Sequence, residues 1–319
     1  MSGAAQQDVA VAGSRAPRSQ SSRLFNKIVV GYEDTAQGRD AFALGQVLAK
    51  IGDAPLEVAM VSPKERGLLT APSQTKGERT AERLFSQISP APWSSGLAID
   101  ARHLVGRSAA KELATFAERE GAELIVIGSN HRGPMGQVVL GGVAEQLLNG
   151  GPCPVAIAPR GFGHELSGQS FDELRPRVLA VGFDGGSESE LALRLGAEIR
   201  LRCAATLRVI TAIDAMKLTP PFGQAVAGGP DLQQRLKEAV DKLPLQLRPL
   251  ALCDRGDPRQ VLLKRVEEGV DLLLMGSRGA GSLGRVYLGS VASDVIHQAP
   301  CPVLITPRSA QAGKPTAKR

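Results

Sequence analysis

RVLAVGFDGGSESELALRLG, residues 177–196, decides the fold, because the chain contains its pattern twice. KIVVGYEDTAQGRDAFALG, residues 27–45, has the same order of parts. In both, a short Val-rich strand ends in Gly, an acid follows, and a polar turn leads into a helix. The helix stripes match: Ala41, Leu44, Gly45 and Leu48 against Ala192, Leu195, Gly196 and Ile199. That i, i+3, i+4, i+7 spacing packs one helix side on a sheet.

The repetition continues at an offset of about 150 residues. PLEVAMV (55–61) answers TLRVITA (206–212), and LAIDARHLVG (97–106) answers QLRPLALCDRG (246–256). Helices AAKELATFAEREG (109–121) and RQVLLKRVEEG (259–269) precede strands AELIVIGS (122–129) and VDLLLMGS (270–277). Each copy closes on PCPVAIAPR (152–160) or PCPVLITPR (300–308). Each copy therefore reads β-α-β-α-β-α-β-α-β. Strands apolar on both faces that alternate with helices predict an α/β fold of two tandem domains, each with a five-stranded parallel, doubly wound sheet. The domains are expected at 25–160 and 177–308, joined by a linker at 161–176. Residues 1–24 and 309–319 lack an apolar pattern and read as disordered basic tails. Leu218 to Asp231, with its Pro and Gly, reads as a loop or lid. The two last strands are apolar edges, and such edges invite pairing with one another inside the chain.

Ligands in doubly wound sheets bind beyond the carboxyl ends of the strands. In the second repeat GSRGAGSLGRVYLGS (276–290) falls there. Its Gly276, Gly279 and Gly289, followed by Ser290, have a G-x2-G-x9-G-S spacing. Glycines let backbone N–H groups approach a phosphate, and a helix start at Ser290 adds free donors and a serine cap. Gly279, Gly281 and Gly284 also spell G-x-G-x-x-G. The dinucleotide fingerprint belongs after a first strand, with an acid about 20 residues on, so that match is discounted. There is no Walker A loop.

Composition narrows the function classes. Among 319 residues only 3% are aromatic, against stacking platforms for single-stranded nucleic acid. The net charge of +6 comes from the ends: residues 1–27 carry +3 and residues 307–319 carry +4. A near-neutral remainder offers no nucleic-acid groove. Cys153, Cys203, Cys253 and Cys301 form no C-x-x-C pair and have no His at metal spacing, so they read as reduced, partly buried thiols. Without a signal peptide or an 18-residue apolar run, the expectation is a cytoplasmic protein with no membrane partner.

The combination of strand–G-F-D-G, G-D-P, G-S-R-G-x9-G-S and P-C-P-V resembles the universal stress proteins, here with two family domains in tandem. The resemblance implies Rossmann-like domains, dimerisation through the last strand, and ATP binding in some members. Carried over by position, Asp184 would contact adenine or ribose, and Ala212 would lie by the adenine. Met275, Gly276 and Arg278 would border ribose and phosphates; Gly279, Gly289, Ser290 and Val291 would hold the phosphates. The residues themselves support the glycines and Ser290. They leave Ala212 open to plain core packing, Asp184 to a turn or cap role, and Arg278 to a solvated charge.

The first repeat departs from the pattern in GSNHRGPMGQVVLGGV (128–143). Gly128 and Gly141 remain, but His131 stands for the second Gly and Gly142 for the Ser. Glu33 replaces the Asp, Asp34 the following Gly, and Val61 takes the adenine-side position. His131 brings a Cβ where backbone must approach phosphate; Gly142 lacks a hydroxyl; Asp34 and Glu145 add carboxylates near a triphosphate. Two alternatives stay open: a weak or empty first site, or a different anion site built on His131, Arg132 and Gly133. The function expected is an ATP-binding stress or signalling switch acting on unknown protein partners, with Mg²⁺ beside the nucleotide and assembly into a homodimer both left open. The alternative is a nucleotide-independent scaffold. A slow ATPase ranks third, since no Walker lysine, clustered carboxylates or base beside the loop is visible, and His103 and His164 have no matching Ser/Asp or Cys constellation.

Overall fold

The computed structural model describes residues 23–63, 91–130, 135–165, 168–213, 230–277 and 288–307. The expected second helix of the first repeat, residues 1–22 and 309–319 of the expected tails, and 218–229 of the expected loop lie outside the described residues. Leu24, expected in the first tail, packs on the core and donates to the Gly52 carbonyl at 2.9 Å, and Pro230 and Asp231, expected in the loop, already begin a helix. Described elements of the first repeat are β1 (Ile28–Gly31), α1 (Ala36–Gly52), β2 (Leu56–Pro63), β3 (Ile99–Gly106), α2 (Ala109–Glu120), β4 (Leu124–Gly128), α3 (Gly142–Gly150) and β5 (Val155–Ala158). Two short helices follow, α4 (Phe162–Glu165) and α5 (Phe171–Leu174). The second repeat holds β6 (Val178–Gly182), α6 (Ser187–Cys203), β7 (Thr206–Ile213), α7 (Pro230–Asp241), β8 (Leu250–Arg255), α8 (Pro258–Glu267), β9 (Leu272–Gly276), α9 (Ser290–Gln298) and β10 (Val303–Thr306).

Local chemistry explains the helix boundaries. The Thr35 side chain accepts the Gly38 N–H at 3.1 Å to cap α1, and Asp257 caps α8 just before Pro258. Gly121 ends α2 at φ 64°, a conformation that favours glycine.

The strands form one ten-stranded sheet in the order β3-β2-β1-β4-β5-β10-β9-β6-β7-β8. Within each half all pairings are parallel. The halves join where β5 and β10 run antiparallel, with Val303 opposite Ile157, Leu304 opposite Ala156, and Ile305 opposite Val155. The two apolar edges thus do meet inside one chain, each satisfying the other's backbone groups.

The apolar layers ignore the repeat boundary. One face gathers Val30, Leu48 and Leu56 with Val181, Leu193 and Leu304. The other gathers Ile125, Leu147 and Ile157 with Leu273, Val295 and Ile305. Burying each such side chain contributes ~1.5–3 kcal/mol, so each half depends on the other for stability.

Residues 161–176 are more than a tether. Phe162, Phe171 and Leu174 pack against the first layer, and Phe171 stacks on Trp93 at 5.8 Å between ring centroids. Asp40 on α1, buried, accepts the backbone N–H groups of Gly161 and Gly163, both at 2.8 Å.

The cysteines divide sharply. Cys153, Cys203 and Cys301 are buried, while Cys253 on β8 is exposed. Loss of solvation pushes the Cys153 and Cys301 thiols up to about 12 and Cys203 to about 11. A thiol reagent at about pH 8 is therefore expected to modify one cysteine of the native chain quickly. Fast reaction of two or more in folded protein would contradict the packing.

Candidate functional site

In each half the chain leaves its first strand on one side and its fourth on the other, between β1 and β4 or between β6 and β9. These are the switch points at which crevices open. In the second half Gly182 of β6 lies opposite Met275 of β9 and Ile210 of β7. Asp184, Ala212 and Gly276 therefore sit near the carboxyl ends of three neighbouring strands. The Phe183 N–H donates to the Ile210 carbonyl at 2.9 Å, and the buried Thr211 hydroxyl donates to the Phe183 carbonyl at 3.1 Å, fixing the turn after β6.

Asp184 is half-buried, and its carboxylate accepts the Gly186 N–H at 2.9 Å. This is the turn role that its position allows, since Asp bonds its own backbone two residues on. Ala212 is half-buried on β7, opposite Asp254. The Arg265 guanidinium bonds both Asp254 oxygens, at 2.7 and 2.9 Å, and so holds that carboxyl below its ordinary range. Met275 is buried in the core, and Val291 packs against the same layer. Met275 can offer a ligand little but its backbone, while Val291 is only half-buried.

Gly276 has a packing reason of its own. A Cβ there would strike the first turn of α6 at Glu188 and Ser189. The Thr306 hydroxyl donates to the Glu188 carbonyl at 2.7 Å and holds that turn against β9 and β10. Gly128 stands likewise in the first half, where a Cβ would meet the Gln37 carbonyl of α1. Both glycines let a helix start press on a strand end.

The start of α9 is fastened to β9. The Gly289 N–H donates to the Ser277 carbonyl at 2.7 Å, and the Ser277 N–H donates to the Thr306 carbonyl at 3.0 Å. Gly289 occupies the cap position with no side-chain bond. Ser290 is the first helical residue, and it is exposed. The expected serine cap is therefore wrong by one residue, because the glycine takes the extended cap conformation. The first turn of α9 keeps its N–H donors and a hydroxyl together at the crevice mouth, where the helix dipole favours an anion. Arg278 and Gly279 lie outside the described residues.

The first-half counterpart is built differently. Gly141 caps α3 with no side-chain bond and Gly142 begins it, so no hydroxyl stands there. The loop before it is tied to protein. The Ser129 hydroxyl accepts the Val139 N–H at 2.6 Å, Gly136 donates to the Arg160 carbonyl at 2.8 Å, and Val138 donates across the seam to the Ala299 carbonyl at 3.3 Å. These N–H groups are already used. Glu33 is exposed, Val61 packs on the second apolar layer, and Asp34 is exposed and paired with Arg39 at 3.3 Å. That ion pair offsets the extra negative charge expected from Asp34. His131, Arg132 and Gly133 lie outside the described residues.

Parallel register also makes a contact that the motif search missed. His103 on β3 lies opposite Met60, and its Nε2 is 2.9 Å from the Ser62 hydroxyl. His103 thus has a serine partner, but among the described residues no carboxylate bonds the ring to complete a constellation. His297 on the last turn of α9 places Nδ1 2.6 Å from the Ser293 carbonyl, so its ring serves the helix end.

Among the described residues no group of three or more His, Cys, Asp or Glu is gathered to hold a metal ion. Nor is any described helix long and apolar enough to cross a membrane.

Comparison with known proteins matches this architecture. A sequence model of the Universal stress protein family matches residues 24–159 and 176–307, one copy per half. Universal stress protein Rv2319c of Mycobacterium tuberculosis is 26% identical over 301 residues, covering 88% of this chain and 99% of that one. Universal stress protein Rv2005c of the same organism is 30% identical over 194 residues, covering 59% of this chain and 63% of that one. Among solved structures, a universal stress protein from Archaeoglobus fulgidus has a TM-score of 0.66 at 20% identity, covering 89% of this chain and 98% of that chain. A functionally unknown protein, PA1789 from Pseudomonas aeruginosa, has a TM-score of 0.61 at 16% identity, covering 91% and 95%. With the family motif present in both halves and nearly the whole length shared with a tandem-length relative, the chain belongs to the universal stress protein family.

Proposed function

We propose that this protein binds ATP in its second half and acts in the cytoplasm as a nucleotide-dependent stress or signalling switch. The observation that carries the reading is the α9 start: a glycine cap with no side-chain bond, and an exposed Ser290 held at the end of β9 by the Gly289–Ser277 bond. A phosphate there meets N–H donors, a hydroxyl and a favourable dipole. Gly276, Arg278, Gly279, Gly289, Ser290 and the Val291 backbone would form the phosphate side. Asp184, Ala212 and the Met275 backbone would form the nucleoside side. Mg²⁺ would accompany the phosphates through its own waters rather than a protein cage. The first half would hold nucleotide weakly or not at all, because the Gly136, Val138 and Val139 N–H groups are spent within the protein and Gly142 offers no hydroxyl.

Two observations favour a scaffold that needs no nucleotide. Gly276 is accounted for by the approach of α6, and Asp184 bonds its own turn. Equilibrium dialysis of the full chain with labelled ATP separates the readings. One site per chain is expected, and Gly279→Val should weaken it at least about tenfold, ~1.4 kcal/mol. No binding would favour the scaffold. Two equal sites would mean that the His131–Arg132 stretch holds phosphate in its own way.

A further inference from the structure

We infer that the first half supplies a positioning residue to the nucleotide site of the second: Asn149, on the last turn of α3, whose amide oxygen accepts the Leu288 N–H across the seam at 2.7 Å. The inference rests on the ATP reading above. Leu288 directly precedes the Gly289 cap, so two successive backbone N–H groups before α9 are both pinned. Gly289 is held by Ser277 from its own half, and Leu288 by a side chain 139 residues away in the other half.

The two acceptors set where the Gly289–Ser290 turn sits and in which direction the first N–H groups of α9 point. Donors act strongly on an anion only when their geometry is set before it arrives. Removing Asn149 leaves Leu288 half-buried with no side chain to fix it, and the phosphate must then order the turn itself.

The arrangement is not mirrored. The residue that answers Asn149 in the second repeat is His297, and its ring turns back to the Ser293 carbonyl of its own helix. The return contact runs from the Val138 N–H to the Ala299 backbone carbonyl instead. Among the described residues a side-chain acceptor is therefore supplied in one direction, toward the half whose motif is intact.

The test uses the full chain and ATP. Calorimetry on Asn149→Leu, which keeps the size and removes the acceptor, should show affinity at least about fivefold weaker than wild type. Asn149→Asp keeps an acceptor for Leu288 and should return to within about threefold at ~0.15 M salt, where distant charge is screened. A contact that only braced the fold would lower the melting temperature and leave the dissociation constant of the folded protein unchanged. Wild-type affinity in Asn149→Leu, or no recovery in Asn149→Asp, would overturn the inference while the ATP reading stands. No ATP binding by the wild-type chain would remove both.

Discussion

Leu304→Ala is expected to unfold both halves together at a lower denaturant concentration, with a loss of about 3–4 kcal/mol. Leu304 is fully buried on β10, between β9 and β5, where it lies opposite Leu274 and Ala156. The residue belongs to the second half, but the apolar layer it fills runs through both. The chain has one tryptophan, and Trp93 stands in the first half against Phe171. Its fluorescence therefore reports on the half that does not carry the mutation. Unfolding followed by Trp93 emission and by circular dichroism should shift by the same amount. A circular dichroism transition that leaves Trp93 emission unchanged would show that the halves unfold separately. The same dependence makes the isolated second half a poor reagent for binding work, since it would expose β10 and part of each apolar layer.

Asp40→Leu should cost about 3 kcal/mol. The carboxylate is 3% exposed and accepts two backbone N–H groups. Leaving a buried donor unpaired costs ~1–3 kcal/mol each. The repeat makes the substitution natural, because Leu191 stands at the matching position of α6. Asp40→Asn keeps one acceptor oxygen and should lose about half as much. Because the clasped segment carries Phe171, the Trp93 emission of folded Asp40→Leu should also shift to the red. Thermal or denaturant melts within about 0.5 kcal/mol of wild type would show that the Gly161–Gly163 backbone finds water instead.

Periodicity made the sheet legible before any coordinates. Doubly apolar strands, a helix stripe in each copy and a repeated P-C-P-V are local signals, and each described strand overlaps a stretch they marked, β2 and β7 running on to Pro63 and Ile213. What stayed hidden depends on contacts distant in sequence. The clasp at Asp40 carries no local signal, because its partners lie 121 and 123 residues on. The Ser62–His103 pair required the register of β2 on β3. The helices α4 and α5 have four residues each, too few for a period, and form where Phe162 and Phe171 reach the core. At the candidate site the glycines were legible as a spacing, but their causes were not. Gly276 serves a helix approach, and Gly289 displaces Ser290 from the cap.

The pair Ala156–Leu304 lies where the two halves are related to each other, so each is the other's counterpart as well as its neighbour. Two separate copies of the second half joined in this way would set Leu against Leu and overfill the seam. Two copies of the first would set Ala against Ala and leave a void. One small and one large side chain fit only when the halves differ. A symmetric dimer must use one surface twice, so every change in it is made twice. Joining the halves in a single chain removes that rule. One partner can then keep a phosphate-ready helix start while the other turns its loop inward, and the seam between them becomes a fit between unlike surfaces, inherited as a unit.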